Sequence, residues 1–165
     1  MKYDYIIAVD PDVDKSGVAT LDVRNKNFAG LGLTNLSFPD LIHYVAEFKR
    51  KYENTPFIVI VEAGWMAQGN WHLSFKETKQ RAASKGYDVG RNHETGHKIV
   101  ECLKYVGVEV LEHYPLRKCW KGKDGKITHE ELAYFTGISG RTNQDARDAA
   151  LLAWNFAKLP IRVKC

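Results

Sequence analysis

Two stretches of this chain are apolar without interruption, and both stop at an acid. Ile6-Ile7-Ala8-Val9 runs into Asp10, and Phe57-Ile58-Val59-Ile60-Val61 runs into Glu62. A strand with one wet face alternates apolar and polar residues. A run rich in β-branched residues with no alternation reads as a strand covered on both faces. Two such strands require helices above and below one sheet, and this requirement narrows the fold more than any other feature of the chain.

The remaining segments supply those helices. Strands are expected at 3–9, 17–23 and 28–33, with Asn25-Lys26-Asn27 as the turn of a hairpin. Ser37, with Asp40 three residues on, starts a helix whose apolar positions are Leu41, Val45, Phe48 and Tyr52. A strand follows at 57–61. Residues 64–90 hold no sustained period and read as a flexible insertion. A helix is expected over 91–106, with Ile99, Val100, Leu103 and Val106 inward, then a strand at 108–111 and a basic loop at 113–127. Thr128 caps a short helix, Glu131 completes its capping box, and Gly137 ends it. The last helix spans about 144–157. This order, β-β-β-α-β-α-β-α-α, is an α/β fold: a mixed five-stranded sheet with helices on both faces.

At 165 residues the chain suits one domain, residues 1–165, with a core that needs no staples. Its three cysteines, Cys102, Cys119 and Cys165, are odd in number and scattered, which argues against a disulfide framework or a cysteine zinc site and fits a reducing cytoplasm. The opening apolar run is too short for a signal peptide or a membrane span. The formal charge of +4 permits nucleic-acid binding without requiring it.

Asp10 and Glu62 each take the first position past a buried strand, and ligands of open α/β sheets gather at such carboxyl ends. If the strands are parallel neighbours, the acids stand about 5 Å apart. In Thr142–Trp154 the spacing puts Asp145 and Asp148 on one helix face, beside Ala146, Ala149, Ala150 and Ala153, small enough for close approach to the sheet. Each acid has a simpler explanation. Asp10 can mark a strand end before a proline turn, Glu62 can be an exposed loop acid, Asp145 can favour the helix dipole, and Asp148 can pair with Arg141 or Arg147. Together, four clustered carboxylates call for cations. Two Mg²⁺ or Mn²⁺ ions suit oxygen ligands and catalyse phosphoryl displacement. Asp12 and Asp14, in Asp-Pro-Asp-Val-Asp-Lys-Ser-Gly, read as turn acids.

These motifs resemble the RuvC-type Holliday junction resolvases of the RNase H-like nuclease superfamily. The similarity is carried by Val9–Thr20, by Ile60–Ala67, by Gly90–Val100 with its glycine-bearing helix start, and by Gln144–Trp154 with the closing acid pair. The resemblance implies an RNase H-like fold, and it makes Asp10, Glu62, Asp145 and Asp148 the metal-binding catalytic acids. It also makes Trp65 an aromatic that contacts the junction. Finally, it implies a homodimer that nicks opposing strands of a four-way DNA junction symmetrically. Asp12 stands where the family commonly has glycine, and the segment from Glu62 to Gly90 is longer than usual.

Charge distribution points to DNA independently. Lys76, Lys79, Arg81, Lys85, Arg91 and Lys98 form one basic cluster, and Arg117, Lys118, Lys121, Lys123 and Lys126 a second. Trp65, Trp71, Phe75 and Trp120 lie among them. Basic residues neutralise phosphates, and exposed aromatics stack on unpaired bases. Trp65, Arg91, Lys118, Lys121 and Lys126 are the expected DNA contacts. A rival motif, His93-Glu94-Thr95-Gly96-His97, matches the HExxH of zinc metalloproteases. Glycine inside it weakens the helix, and Val100 and Leu103 hold the positions of the extended form. A non-catalytic DNA-binding module is a third reading, although such a module has little need of four acids.

Overall fold

A computed structural model describes residues 2–67 and 78–162. Its sheet contains β1 (Tyr5–Asp10), β2 (Ser16–Asp22), β3 (Asn27–Leu36), β4 (Phe57–Glu62) and β5 (Val110–His113), in the order β3-β2-β1-β4-β5. β1 is antiparallel to β2 and β2 to β3, while β1, β4 and β5 run parallel. The helices are α1 (Phe38–Lys51), α2 (Lys79–Tyr105), α3 (His129–Thr136) and α4 (Gln144–Phe156). The mixed five-stranded sheet expected from the element order is present.

Each uninterrupted apolar run divides between two cores. Ile7, Val9, Val59 and Val61 pack with Leu41, Val45 and Phe48 of α1 and with Ile99, Val100 and Leu103 of α2. Ile6, Ala8, Ile58 and Ile60 face the other way, against Ala149, Ala150, Leu152 and Ala153 of α4 and Leu132 of α3. Strand alternation alone sets this division. The sheet is buried on both sides for that reason, and β1 and β4 tolerate no polar residue before their last.

The expected helix ends hold. The Ser37 hydroxyl accepts from the Asp40 N–H at the start of α1. Thr128 and Glu131 form a reciprocal capping box on α3, and Gly137 closes it with φ at 71° in the left-handed region. Asn143 caps α4 by accepting from the Ala146 N–H at 3.0 Å.

Three elements differ from expectation. α2 begins at Lys79, so residues 79–90, read as part of an insertion, are helical and capped by Thr78. The sequence hid this because the buried residues of α2 are Gly96, Ile99, Val100 and Leu103, leaving no apolar period in the first turns. β3 runs on to Leu36, past Gly30 and Gly32 at positive φ and across a register shift opposite Ala19–Leu21. β5 lies two residues later than expected, because Val59 pairs with Val110 and Glu62 with His113. Trp71, Phe75, Lys76 and Cys165 lie outside the described residues, and Cys102 and Cys119 are free thiols. Among the described residues no helix is long and apolar enough to cross a membrane.

Candidate active site

Val9 pairs with Val61 across the parallel strands, so Asp10 and Glu62 end β1 and β4 at the same level. Parallel neighbours lie about 4.8 Å apart. Both acids continue the even-numbered series that faces α4, beyond Ile6 and Ala8 on one strand and Ile58 and Ile60 on the other. α4 lies across this face and brings Asp145, in its first turn, and Asp148.

Its close approach depends on a residue that sequence reasoning noted only within a motif. Gly17 of β2 pairs with Asp10. A Cβ at Gly17 would lie 2.2 Å from the backbone carbon and oxygen of Asp145 and 2.7 Å from the Ala146 nitrogen. Real Cβ atoms do not come so near, so a hydrogen side chain at 17 is the condition for α4 to lie where it does.

The four carboxylates feel one another. Burial raises the Asp10 pKa well above the ordinary carboxylate value, with further upward pressure from Glu62, Asp148 and Asp145. Burial and Asp148 raise Glu62, while Lys126 and Lys118 oppose. Asp145 is raised by burial, by Asp12 and by Asp148, against Lys126 and Arg147. Asp12, read as a turn acid, does cap its own turn by accepting from the Asp14 N–H at 2.9 Å. It also reaches the cluster electrostatically. Asn92 of α2 holds this turn, accepting from the Val13 N–H at 3.1 Å.

Lys126 is the main countercharge. Its Nζ lies 2.8 Å from Asp148 Oδ2. Burial works against its charge, but the bond to Asp148 and the fields of Asp148, Asp10 and Asp145 outweigh that and raise its pKa. Asp148 therefore pairs with Lys126, not with Arg141 or Arg147. Arg147 instead donates to the carbonyls of Thr142 at 2.7 Å and Ile127 at 3.2 Å, and to Gln144 Oε1 at 2.8 Å. Gln144 donates to Asp148 Oδ1 at 2.8 Å and to the Ile127 carbonyl at 3.2 Å. Gln144, which the sequence did not single out, and Arg147, which it offered only as a partner for Asp148, thus tie α4 to the residue that follows Lys126.

Two clefts meet at Asp10 and Glu62. One is lined by Leu116, Arg117, Lys118, Trp120, Lys126 and Asp148. The other is lined by Pro11, Gly64, Trp65, Asn92, His93 and Lys118. Trp65, Lys118 and Lys126, three of the residues expected to contact DNA, thus line the clefts beside the acids. Lys121 and Arg91 do not. Lys121 lines a separate hollow with Tyr134 and Arg162, and the Arg91 guanidinium lies 5.6 Å from the Tyr87 ring centre on α2. Trp120 is part core, packed on Phe135 at a ring separation of 6.1 Å.

The HExxH match has another explanation here. The His97 and His93 rings pack on Trp65 at centroid separations of 4.2 and 6.1 Å, and Gly96 lies under that indole. Among the described residues no three His, Cys, Asp or Glu side chains form a ready-made metal cage, around these histidines or around the acids.

No protein-family model matches the chain, and no curated protein matches it. Among solved structures, the chain is similar to T. thermophilus RuvC in complex with Holliday junction substrate. The identity is 13%, the match covers 92% of this chain and 90% of that chain, and the TM-score is 0.48. It is also similar to the Fowlpox virus resolvase in complex with substrate Holliday junction DNA, at 14% identity, 93% and 97% coverage and a TM-score of 0.46. The architecture itself is α/β: a five-stranded mixed sheet whose antiparallel β1–β3 hairpins join the parallel β1, β4 and β5.

Proposed function

We propose that this chain is a divalent-metal-dependent endonuclease that cleaves branched DNA, with the four-way junction as its preferred substrate. One observation carries the reading. Four carboxylates from β1, β4 and α4 converge at the carboxyl end of the sheet, and three of them have raised pKa values. Among the described residues Asp148 alone of the four has a hydrogen-bonded partner. A cluster of four partly buried carboxylates, three of them without a donor among the described residues and one lysine paired with the fourth, is unfavourable in its charged form unless further cations join it.

The donor set fits Mg²⁺ or Mn²⁺, which are hard and take oxygen ligands. Asp10, Glu62, Asp145 and Asp148 would hold them, two ions per site, with Asp10 at the centre of the cluster. When bound, such ions supply Lewis-acid stabilisation of the phosphoryl charge and a water acidic enough to act as nucleophile at neutral pH. The chain's own residues do the rest. Lys118, which lines both clefts, and Lys126, which lines the first, offset phosphate charge. Trp65 presents an aromatic surface to a base displaced at the branch. Hydrolysis breaks the bond to the 3′ oxygen and leaves a 5′ phosphate. A homodimer would offer two such sites to opposing strands.

The test is a cleavage assay on a labelled four-way junction and a linear duplex of the same sequence, each with Mg²⁺ and with Mn²⁺. Paired nicks in opposing strands of the junction alone are the expected result. Equal cutting of both substrates would overturn the junction preference. No cutting under any condition would overturn the nuclease reading.

A further inference from the structure

We infer that the turn His93–His97 is the seat of Trp65, and that Gly96 and His97 are positioning residues for the indole that stands beside the acids. The part concerning DNA rests on the reading above. The seat itself does not.

Trp65 lies three residues past Glu62, in a 3₁₀ turn, Gly64–Met66. Its ring lies over α2 where Gly96 leaves room. A Cβ at Gly96 would be 2.3 Å from Cζ3 and 2.8 Å from Cη2 of Trp65, and 3.3 Å from Cγ of Pro11. Glycine is a poor helix residue, and Gly96 is buried inside a 27-residue helix with no turn to make. Space for the indole is the physical reason for it. His97 packs on the ring with an interplanar angle of 36°, and His93 meets it edge-on at 74°. His93 is itself held beside Gly64, where a Cβ would be 3.2 Å from its Nε2.

Pro11 follows Asp10, and Trp65 follows Glu62 by three residues. The seat therefore joins the ends of both acid-bearing strands to α2 through one aromatic ring. A nucleobase splayed from a branch into the cleft of Asp10, Glu62, Trp65 and His93 would meet an aromatic plane whose position α2 decides. The HExxH pattern then arises from packing: a small residue to receive the ring and two imidazoles one helical turn apart beside it.

The experiment is a double-mutant cycle of Gly96→Ala and Trp65→Ala, with His97→Ala alongside. Thermal unfolding and ¹⁹F spectra of protein carrying 5-fluorotryptophan are the readouts. The chain has four tryptophans, and the Trp65 resonance is the one lost in W65A. G96A is expected to lower Tm and shift that resonance. In the W65A background the same substitution should be neutral or stabilising, because the clash is gone and alanine favours helix. H97A should shift the resonance with a smaller change in Tm. An equal Tm loss from G96A in both backgrounds, or an unmoved Trp65 resonance, would overturn the seat. Junction binding divides the two readings. G96A and W65A should each weaken it roughly tenfold relative to linear duplex, and the double variant no further. Unchanged junction preference with an intact stability cycle would retain the seat and overturn the DNA role of Trp65.

Discussion

α4 and α2 lie on opposite faces of the same sheet, and they contribute to the site in opposite ways. Seven of the thirteen residues of α4 are buried. In α2 only four of 27 are, all of them at or beyond Gly96. α4 is pressed against β1 and β2 until only hydrogen fits at Gly17, and its two acids are placed by core packing. α2 anchors through its second half and carries its first half in solvent. On the α4 side, then, moving the helix that places two of the acids means disturbing the core. On the α2 side the half of the helix before Gly96 can change with little effect on the core.

The sharpest way to break this contrast is at the acids facing α4. Asp10→Asn should lower cleavage by about 10³-fold while leaving junction binding intact, because it removes a charge from the proposed metal site and no packing. Retained activity would remove Asp10 from the chemistry. Next, Gly17→Ala should lower cleavage by about 10²-fold and destabilise by about 1–3 kcal/mol, since α4 must move before a methyl fits. Unchanged Tm and activity would mean that α4 shifts without cost. Lys126→Ala should also reduce cleavage, by about 10²-fold. Because Lys126 opposes the raised pKa values of Asp10, Glu62 and Asp145, its loss should destabilise the metal-free protein near neutral pH. Added Mg²⁺ should recover that stability. Tm measured with EDTA and with Mg²⁺ checks it.

The pH dependence follows in sign. Asp10, Glu62 and Asp145 hold protons more tightly folded than unfolded, so their contribution to stability is complete below the unfolded values, 3.8 for aspartate and 4.5 for glutamate. It is lost as pH rises through the raised folded values. At pH 7 without metal, Asp10→Asn should therefore melt a few degrees above the parent protein, a change of roughly 1–2 kcal/mol at ~2–4 °C each. Below about pH 4 the difference should close. A gap that widened toward acid would reverse the electrostatic account. The smallest effect concerns α2 itself. Amides of residues 82–90 should exchange with solvent far faster than those of Ile99–Leu103, and uniform protection along α2 would erase the contrast with α4.

Much of this was legible without coordinates. IIAVD and FIVIVE declared two buried strands, and their acids marked the end at which the candidate site lies. The i, i+3 spacing put Asp145 and Asp148 on one face, and the caps at Ser37, Thr128 and Gly137 followed from local chemistry. The first turns of α2 were not legible, because their residues point into water and periodicity needs a core to report on. Nor was the partner of Asp148. Arg147 was near in sequence, yet its guanidinium is committed to the carbonyls of Thr142 and Ile127.

By itself, then, the sequence determined the sheet with helices on both faces, the acids and the basic loop, because apolar runs, caps and charge are properties of neighbours along the chain. Tertiary structure alone decided which lysine balances the cluster, how near α4 comes to β2, and that the two histidines belong to a tryptophan. Those are contacts between residues tens of positions apart, set by strand register and by the space left at Gly17 and Gly96. No local pattern encodes them.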